Sequence, residues 1–227
     1  MRKLWIGVIG SLVMLVALDF LAKTIAEQKV ADAVQARYDL TAKPNVDIHG
    51  FPFLLEAATR RLDRVDVHAE SVQVARVELA EAELRMHNVR VESTSSAVAE
   101  TVDADAVIPY SELADLAQDF GRGDVTLAFG GAPDTLAVSG TVSVLGQDFD
   151  MVAYTRVRVD DSTLTLRTTR VEIDGKPAPE QLVQAIGTRF DLTFRIPKMF
   201  DLVTLTGVEM RPDGVVVGLT GSDIALG

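Results

Sequence analysis

The hydrophobic pattern begins with one long apolar run at the N-terminus. Residues 1–3 (Met-Arg-Lys) are a short basic stretch, and residues 4–18 are then apolar except for small Gly and Ser. A membrane-spanning helix needs about 20 apolar residues, so this run is somewhat short for one. It suits the apolar region of a signal sequence. We therefore predict a signal anchor or signal peptide over residues 1–22.

Retention and removal of this segment are competing hypotheses. Residues 24–26 (Thr-Ile-Ala) are an acceptable but distant cleavage signal, and no Ala-x-Ala directly follows the run. An uncleaved anchor is favoured, with Arg2 and Lys3 in the cytoplasm and the C-terminus outside. The predicted localisation is the cell membrane with a periplasmic domain, or the free periplasm if the segment is cleaved. The third alternative is a buried first helix of a soluble domain.

The rest of the chain alternates between helical and strand patterns. Residues 19–38 indicate a helix, residues 45–50 a strand and residues 51–62 a second helix. Residues 65–91 alternate with shifts of phase, and a strand longer than about ten residues is unusual. Two strands with a bulge or turn near residues 81–83 are therefore expected. Further strands are predicted at 98–107, 125–129, 136–145, 149–159, 163–173, 203–211 and 215–219, with helices at 112–120 and 179–189.

This order of elements predicts the fold class. The connections between strands are short, so most strand pairs should be antiparallel. The class is α+β with a majority of strand. We predict one domain over residues 23–227.

Composition and charge exclude several classes of partner. The 227 residues carry a net charge of −11 with a pI near 4.7, and nucleic acid binding needs a basic surface. Nucleic acid is therefore not an expected partner. The chain has no cysteine, which removes disulfides, thiol catalysis and the acylated cysteine of a lipoprotein.

No residue pattern indicates catalysis. His49, His68 and His87 lie 19 residues apart, which fits no metal-binding motif. The chain has no Gly-x-Ser-x-Gly elbow and no phosphate-binding glycine loop. We expect a protein that is not an enzyme, without catalytic residues, metal or cofactor.

The remaining signal is two apolar clusters. One contains Phe51, Phe53, Leu54 and Leu55, and the other lies over residues 190–202. The first interpretation is ordinary core. The second is an apolar pocket, which needs the same residue types, and periodicity does not separate the two.

One motif carries a family resemblance. Residues 50–54 (Gly-Phe-Pro-Phe-Leu), followed by residues 63–67 (Asp-Arg-Val-Asp-Val), resemble the LmeA-like phospholipid-binding family of actinobacterial cell-envelope proteins. The resemblance covers about residues 19–226, and Arg60 departs from it where a glycine is expected. The order of the other elements agrees, namely residues 108–110 (Ile-Pro-Tyr), 196–197 (Ile-Pro) and 213–214 (Asp-Gly).

The resemblance implies a fold and a function. The fold would be a strongly curved, mostly antiparallel sheet packed on a few helices, like tubular lipid-binding folds. The function would be non-enzymatic, extracytoplasmic phospholipid binding or lipid transfer that supports envelope lipid and lipoglycan maintenance. The expected partners are phospholipid acyl chains and the membrane. The predicted lipid-binding residues are Phe51, Phe53, Leu54, Tyr110, Leu113, Phe190 and Phe194.

Two alternatives to this function stay open. One is a scaffold that stabilises a membrane glycosyltransferase of the envelope by protein contact. The other is an envelope hydrolase, which would need a histidine within hydrogen-bonding reach of a serine or aspartate in a cleft.

Overall fold

The computed structural model describes residues 2–74, 76–93, 96–119, 125–144, 147–160, 163–195 and 203–226. Within these ranges the chain forms four helices and twelve strands, mostly in antiparallel sheets, which confirms the predicted α+β class. The strong curvature of the sheet stays a prediction. The helices are α1 (Arg2–Tyr38), α2 (Phe53–Thr59), α3 (Tyr110–Asp119) and α4 (Glu180–Phe190). The strands are β1 (Asn45–His49), β2 (Arg61–Val74), β3 (Val77–Val91), β4 (Ala97–Ile108), β5 (Thr126–Phe129), β6 (Thr135–Val144), β7 (Gln147–Asp160), β8 (Thr163–Ile173), β9 (Lys176–Pro177), β10 (Leu192–Arg195), β11 (Val203–Arg211) and β12 (Gly214–Leu226).

The chain divides into two compact units. The first unit comprises Met1–Val72, Ala82–Ala104 and Gly221–Gly227, and the second comprises Gln73–Glu81 and Asp105–Thr220. Strands β2, β3, β4 and β12 contribute residues to both units. The prediction of one domain over residues 23–227 stays a prediction.

The first unit is built on strands in the order β1-β2-β3-β4-β12. β1 and β2 are antiparallel, with Val46 opposite Val67 and Ile48 opposite Val65. Every second residue of β1 is buried, because successive side chains of a strand point to opposite faces. The buried core of this unit consists of Ala31, Val46, Ile48, Phe53, Val65, Val67, Met86, Val89, Ala99 and Val102.

The second unit contains an antiparallel sheet in the order β10-β8-β7-β6-β5, with β9 on β8, and the β11–β12 pair. The longest pairing joins β6 to β7 from Thr135 opposite Arg156 to Val144 opposite Gln147. Its core is centred on Leu136, Val157, Met210 and Val215. Residues of α3 and β5 pack against this core, so the helix is held by apolar contact.

The turn between the two strands of the 65–91 region was predicted near residues 81–83, and this position is wrong. The chain turns between Val74 and Val77, and β3 then runs through residues 81–83 without interruption. Ser71 and Asn88 have φ values of 52° and 50°, a left-handed conformation inside strands. Such residues interrupt the regular pleat, so the side-chain alternation changes phase without ending the strand.

Two further boundaries differ from prediction. α2 ends at Thr59 rather than near residue 62, because Arg60 adopts a left-handed conformation with φ 57° and closes the helix. That conformation favours glycine, the residue expected at this position from the family resemblance. β10 lies in the apolar cluster over residues 190–202 and was not predicted, although its four residues, Leu-Thr-Phe-Arg, alternate between apolar and polar. The described part of the chain contains no helix with the length and apolar character needed to cross a membrane.

Candidate functional site

The Gly-Phe-Pro-Phe-Leu motif divides into buried and exposed residues. Phe53 is 7% exposed and belongs to the core of the first unit. Phe51 and Leu54 are 65% and 45% exposed. The structure brings these three predicted residues together at the start of α2. Of the three, Phe53 is the one that belongs to the buried core.

The other predicted lipid-binding residues lie in the second unit. Tyr110 and Leu113, on α3, are partly buried against the core of that unit. The Tyr110 hydroxyl donates a hydrogen bond of 2.8 Å to the carbonyl of Arg211. Burial, with a contribution from Asp213, raises the pKa of Tyr110. Phe190 is the last residue of α4, and Phe194 lies in β10. The side chains of both fall outside the described part of the structure. A lipid-lining role for these residues stays a prediction.

Asp19 fixes the position of α2 on α1. Its carboxylate accepts hydrogen bonds from the backbone N–H groups of Phe53, at 2.9 Å, and Leu54, at 2.7 Å. The first N–H groups of a helix have no partner inside it, and Pro52 supplies no side-chain cap. Asp19 is only 5% exposed, and it lies at the N-terminal end of α2, where the helix dipole is positive. The sequence signal for this role is a single acidic residue between apolar Leu18 and Phe20.

Further along α1, a second acidic residue supports strand β1. Glu27 accepts a hydrogen bond of 3.0 Å from the backbone N–H of Ile48, on the edge of β1 that no strand covers among the described residues. Lys23 lies 3.4 Å from the same Glu27 oxygen. Ala22 and Ala26 pack against the core of the first unit. Residues 19–31 of α1 are therefore an integral part of this unit.

Exposed apolar side chains lie on both segments that meet at the contact between Asp19 and α2. Each of these side chains is 45–65% exposed. The backbone beneath them is held in place, because the N–H of Leu55 donates to the carbonyl of Pro52 at 3.1 Å. Such a fixed apolar surface can contact an apolar phase without first changing shape. We call this surface the apolar rim, and it consists of Leu18, Phe20, Leu21, Phe51, Leu54 and Leu55.

A polar cluster lies on β1 and β2, one residue before the motif. His49 Nε2 is 2.9 Å from an oxygen of Asp66, and Arg64 Nε donates to the other oxygen at 2.8 Å. The hydrogen bond from Arg64, assisted by His49, lowers the pKa of Asp66. His49 is thus exposed and paired with a carboxylate.

The motif glycine is required by its backbone. Gly50 has φ +139°, a conformation that residues with a side chain rarely adopt. A Cβ atom built on it would lie 1.9 Å from Glu56 Oε1. Glu56 itself accepts a hydrogen bond from the N–H of Asp63 at 3.4 Å. Gly50 therefore lets Glu56 fold back over the start of the motif.

The second unit contains a polar cavity of about 250 Å³. Within it, the N–H of Glu78 donates to a carboxylate oxygen of Glu112 at 2.9 Å. None of the five predicted lipid-binding residues with described side chains lines it, and its polar wall does not suit an acyl chain. The described residues include no cluster of three His, Asp or Glu able to hold a metal ion. The cavity is lined by Gln73, Arg76, Glu78, Glu112, Asp115 and Leu116.

An α+β protein of antiparallel sheets that holds a fixed apolar surface in solvent is suited to contact with apolar ligands. Comparison with known proteins identifies the family within this class. The chain belongs to the LmeA-like phospholipid-binding family, whose model matches residues 17–220. No curated protein and no solved structure gives a significant match.

Proposed function

We propose that this chain is a non-enzymatic, extracytoplasmic protein that binds phospholipid and transfers it at the cell envelope, in support of envelope lipid and lipoglycan maintenance. The observation that carries the proposal is the match of the phospholipid-binding family over residues 17–220. The apolar rim supports it, because phospholipid acyl chains are the apolar phase available at an envelope. Each buried CH₂ group of an acyl chain contributes about 0.8 kcal/mol.

The acidic charge of the chain supports reversible membrane contact. At a net charge of −11, the protein gains no attraction from anionic headgroups. Apolar contact is then the main source of affinity, and a carrier must be able to leave the membrane that it visits.

Native mass spectrometry of the full chain, purified in a mild detergent, tests phospholipid binding. We expect a discrete species heavier by one phospholipid, retained when collisional activation removes the detergent. A broad distribution of adducts that is lost with the detergent would contradict specific binding. That result, together with an envelope glycosyltransferase captured in stoichiometric amount, would favour the scaffold alternative.

We further propose that the N-terminal segment is retained, with the rest of the chain outside the cytoplasm. The contacts of α1 support retention, because cleavage after Ala26 would remove the Asp19 carboxylate and two alanines that pack on the core. The N–H groups of Phe53 and Leu54 would then lose their acceptor.

Peptide mapping of the mature protein tests this retention. We expect peptides that contain Asp19 and Ala22 in the protein isolated from membranes. A mature N-terminus at Glu27 would contradict the proposal. Accessibility of the C-terminus to protease in intact spheroplasts tests the orientation independently.

A further inference from the structure

The apolar rim includes the chain neighbours of a carboxylate that already has hydrogen-bonding partners. Leu18 and Phe20 flank Asp19 in α1, and Phe51 and Leu54 lie next to the backbone to which Asp19 is bonded. A charged side chain is costly in an apolar medium unless it has hydrogen-bonding partners. Because two N–H groups of α2 bind Asp19, its charge does not prevent the neighbouring side chains from entering such a medium.

We propose that the apolar rim inserts into a phospholipid bilayer, with α2 as a short wedge beside the point where α1 meets the membrane. This inference rests on the proposed phospholipid-binding function and adds the surface that contacts the lipid phase. It does not require α1 to cross the bilayer.

Continuity along α1 favours a bilayer as the occupant of the rim. Towards the N-terminus the same helix presents Leu12, Val13, Met14 and Leu15, each 58–63% exposed. The sequence stays apolar back to Leu4. An apolar surface that continues along an apolar helix matches an extended lipid phase.

Charge supports the same occupant. By sequence, and leaving out Arg2 and Lys3 at the N-terminus, the first unit has nine Lys and Arg against fourteen Asp and Glu, a net charge of −5. The second unit has eleven against nineteen, a net charge of −8. Repulsion from an anionic bilayer is therefore weaker for the unit that carries the rim, so apolar insertion has less to overcome.

The absence of cysteine from the sequence allows a direct test. Leu55→Cys, labelled with a polarity-sensitive fluorophore, reports on the rim, and Tyr38→Cys is a matched control. Leu55 and Tyr38 are both 62% exposed and both belong to the first unit. Tyr38 lies 17 residues after Leu21 on α1, about 25 Å along the helix axis. Each labelled full chain is reconstituted into vesicles of phosphatidylcholine and phosphatidylglycerol, with and without brominated acyl chains.

We expect the label at position 55 to shift to shorter emission wavelengths, to be quenched by the brominated chains and to lose quenching by aqueous iodide. The label at position 38 should keep its emission wavelength, escape quenching by the brominated chains and stay accessible to iodide. Equal accessibility of both positions to iodide would overturn the proposal. Shielding of position 55 from both quenchers, with disulfide-linked dimers of unlabelled Leu55→Cys, would also overturn it, because a second copy would then cover the rim.

Native mass spectrometry of the same labelled chains separates this inference from the function on which it rests. If position 55 stays in water while a discrete phospholipid is retained, the insertion surface is wrong and lipid binding stands. If position 55 enters the acyl region but no phospholipid is retained, insertion stands and the proposed carrier function falls.

Discussion

Replacing Asp19 with alanine is expected to destabilise the first unit by about 3 kcal/mol. The substitution removes two hydrogen bonds to a charged acceptor, each of which contributes about 1.5–3 kcal/mol. It also leaves without a partner the N–H of Phe53, in a buried position, and the N–H of Leu54, in a partly buried one. Hydrogen exchange at these two amides measures the effect directly, and we expect their protection to be lost. Thermal unfolding followed by circular dichroism gives the global cost.

Asp32→Ala is the matched control for this prediction. Asp32 lies on the same helix, with its side chain 65% exposed, and pairs with Lys43 at 2.6 Å. An exposed ion pair of this kind contributes about 0–1 kcal/mol. Similar losses of stability for Asp19→Ala and Asp32→Ala would show that the buried carboxylate does not hold α2 in place.

Phe53→Ala is expected to destabilise the protein strongly, whereas Phe51→Ala should not. Removing a buried phenylalanine costs about 3–5 kcal/mol, because apolar contacts are lost and a cavity remains. Phe53 is 7% exposed, while Phe51 is 65% exposed and has little packing to lose. Denaturant unfolding of both variants under identical conditions measures the difference.

The same pair of variants separates packing from membrane contact. Phe51→Ala should leave the unfolding midpoint close to that of the parent chain. It should also reduce quenching of the label at position 55 by brominated lipid, since Phe51 belongs to the apolar rim. Comparable destabilisation by both substitutions would mean that Phe51 is a core residue, and the rim would then need a new definition.

Local patterns explain which elements could be predicted. The alternation in β4, β7 and β8 reproduces the observed strands within a few residues, because side chains of a strand repeat every two positions. The β2–β3 turn was misplaced because the apolar alternation changes phase inside β3, between Leu79 and Leu84, where the strand continues. β10 was missed although its residues alternate, because a strand of four residues offers only two apolar positions to reveal the period.

The candidate site was predictable only in outline. The motif over residues 50–54 identified the family, but the composition of that motif is equally compatible with core and with surface. Phe51 and Phe53 have the same side chain, and their burial differs because only Phe53 begins α2 facing the core of the first unit. No property of a residue type or of its immediate neighbours encodes that difference.

The sequence by itself determined the α+β class, the N-terminal apolar run, the acidic charge and the motif of a phospholipid-binding family. These features depend on composition and short-range periodicity, which a linear chain displays directly. Only the tertiary structure decided the role of Asp19, because its partner amides lie 34 and 35 residues away along the chain. It also decided that Phe53 is buried while Phe51 and Leu55 form part of an exposed rim. Burial and long-range hydrogen bonds arise from packing between elements, and that packing exists only in the folded chain.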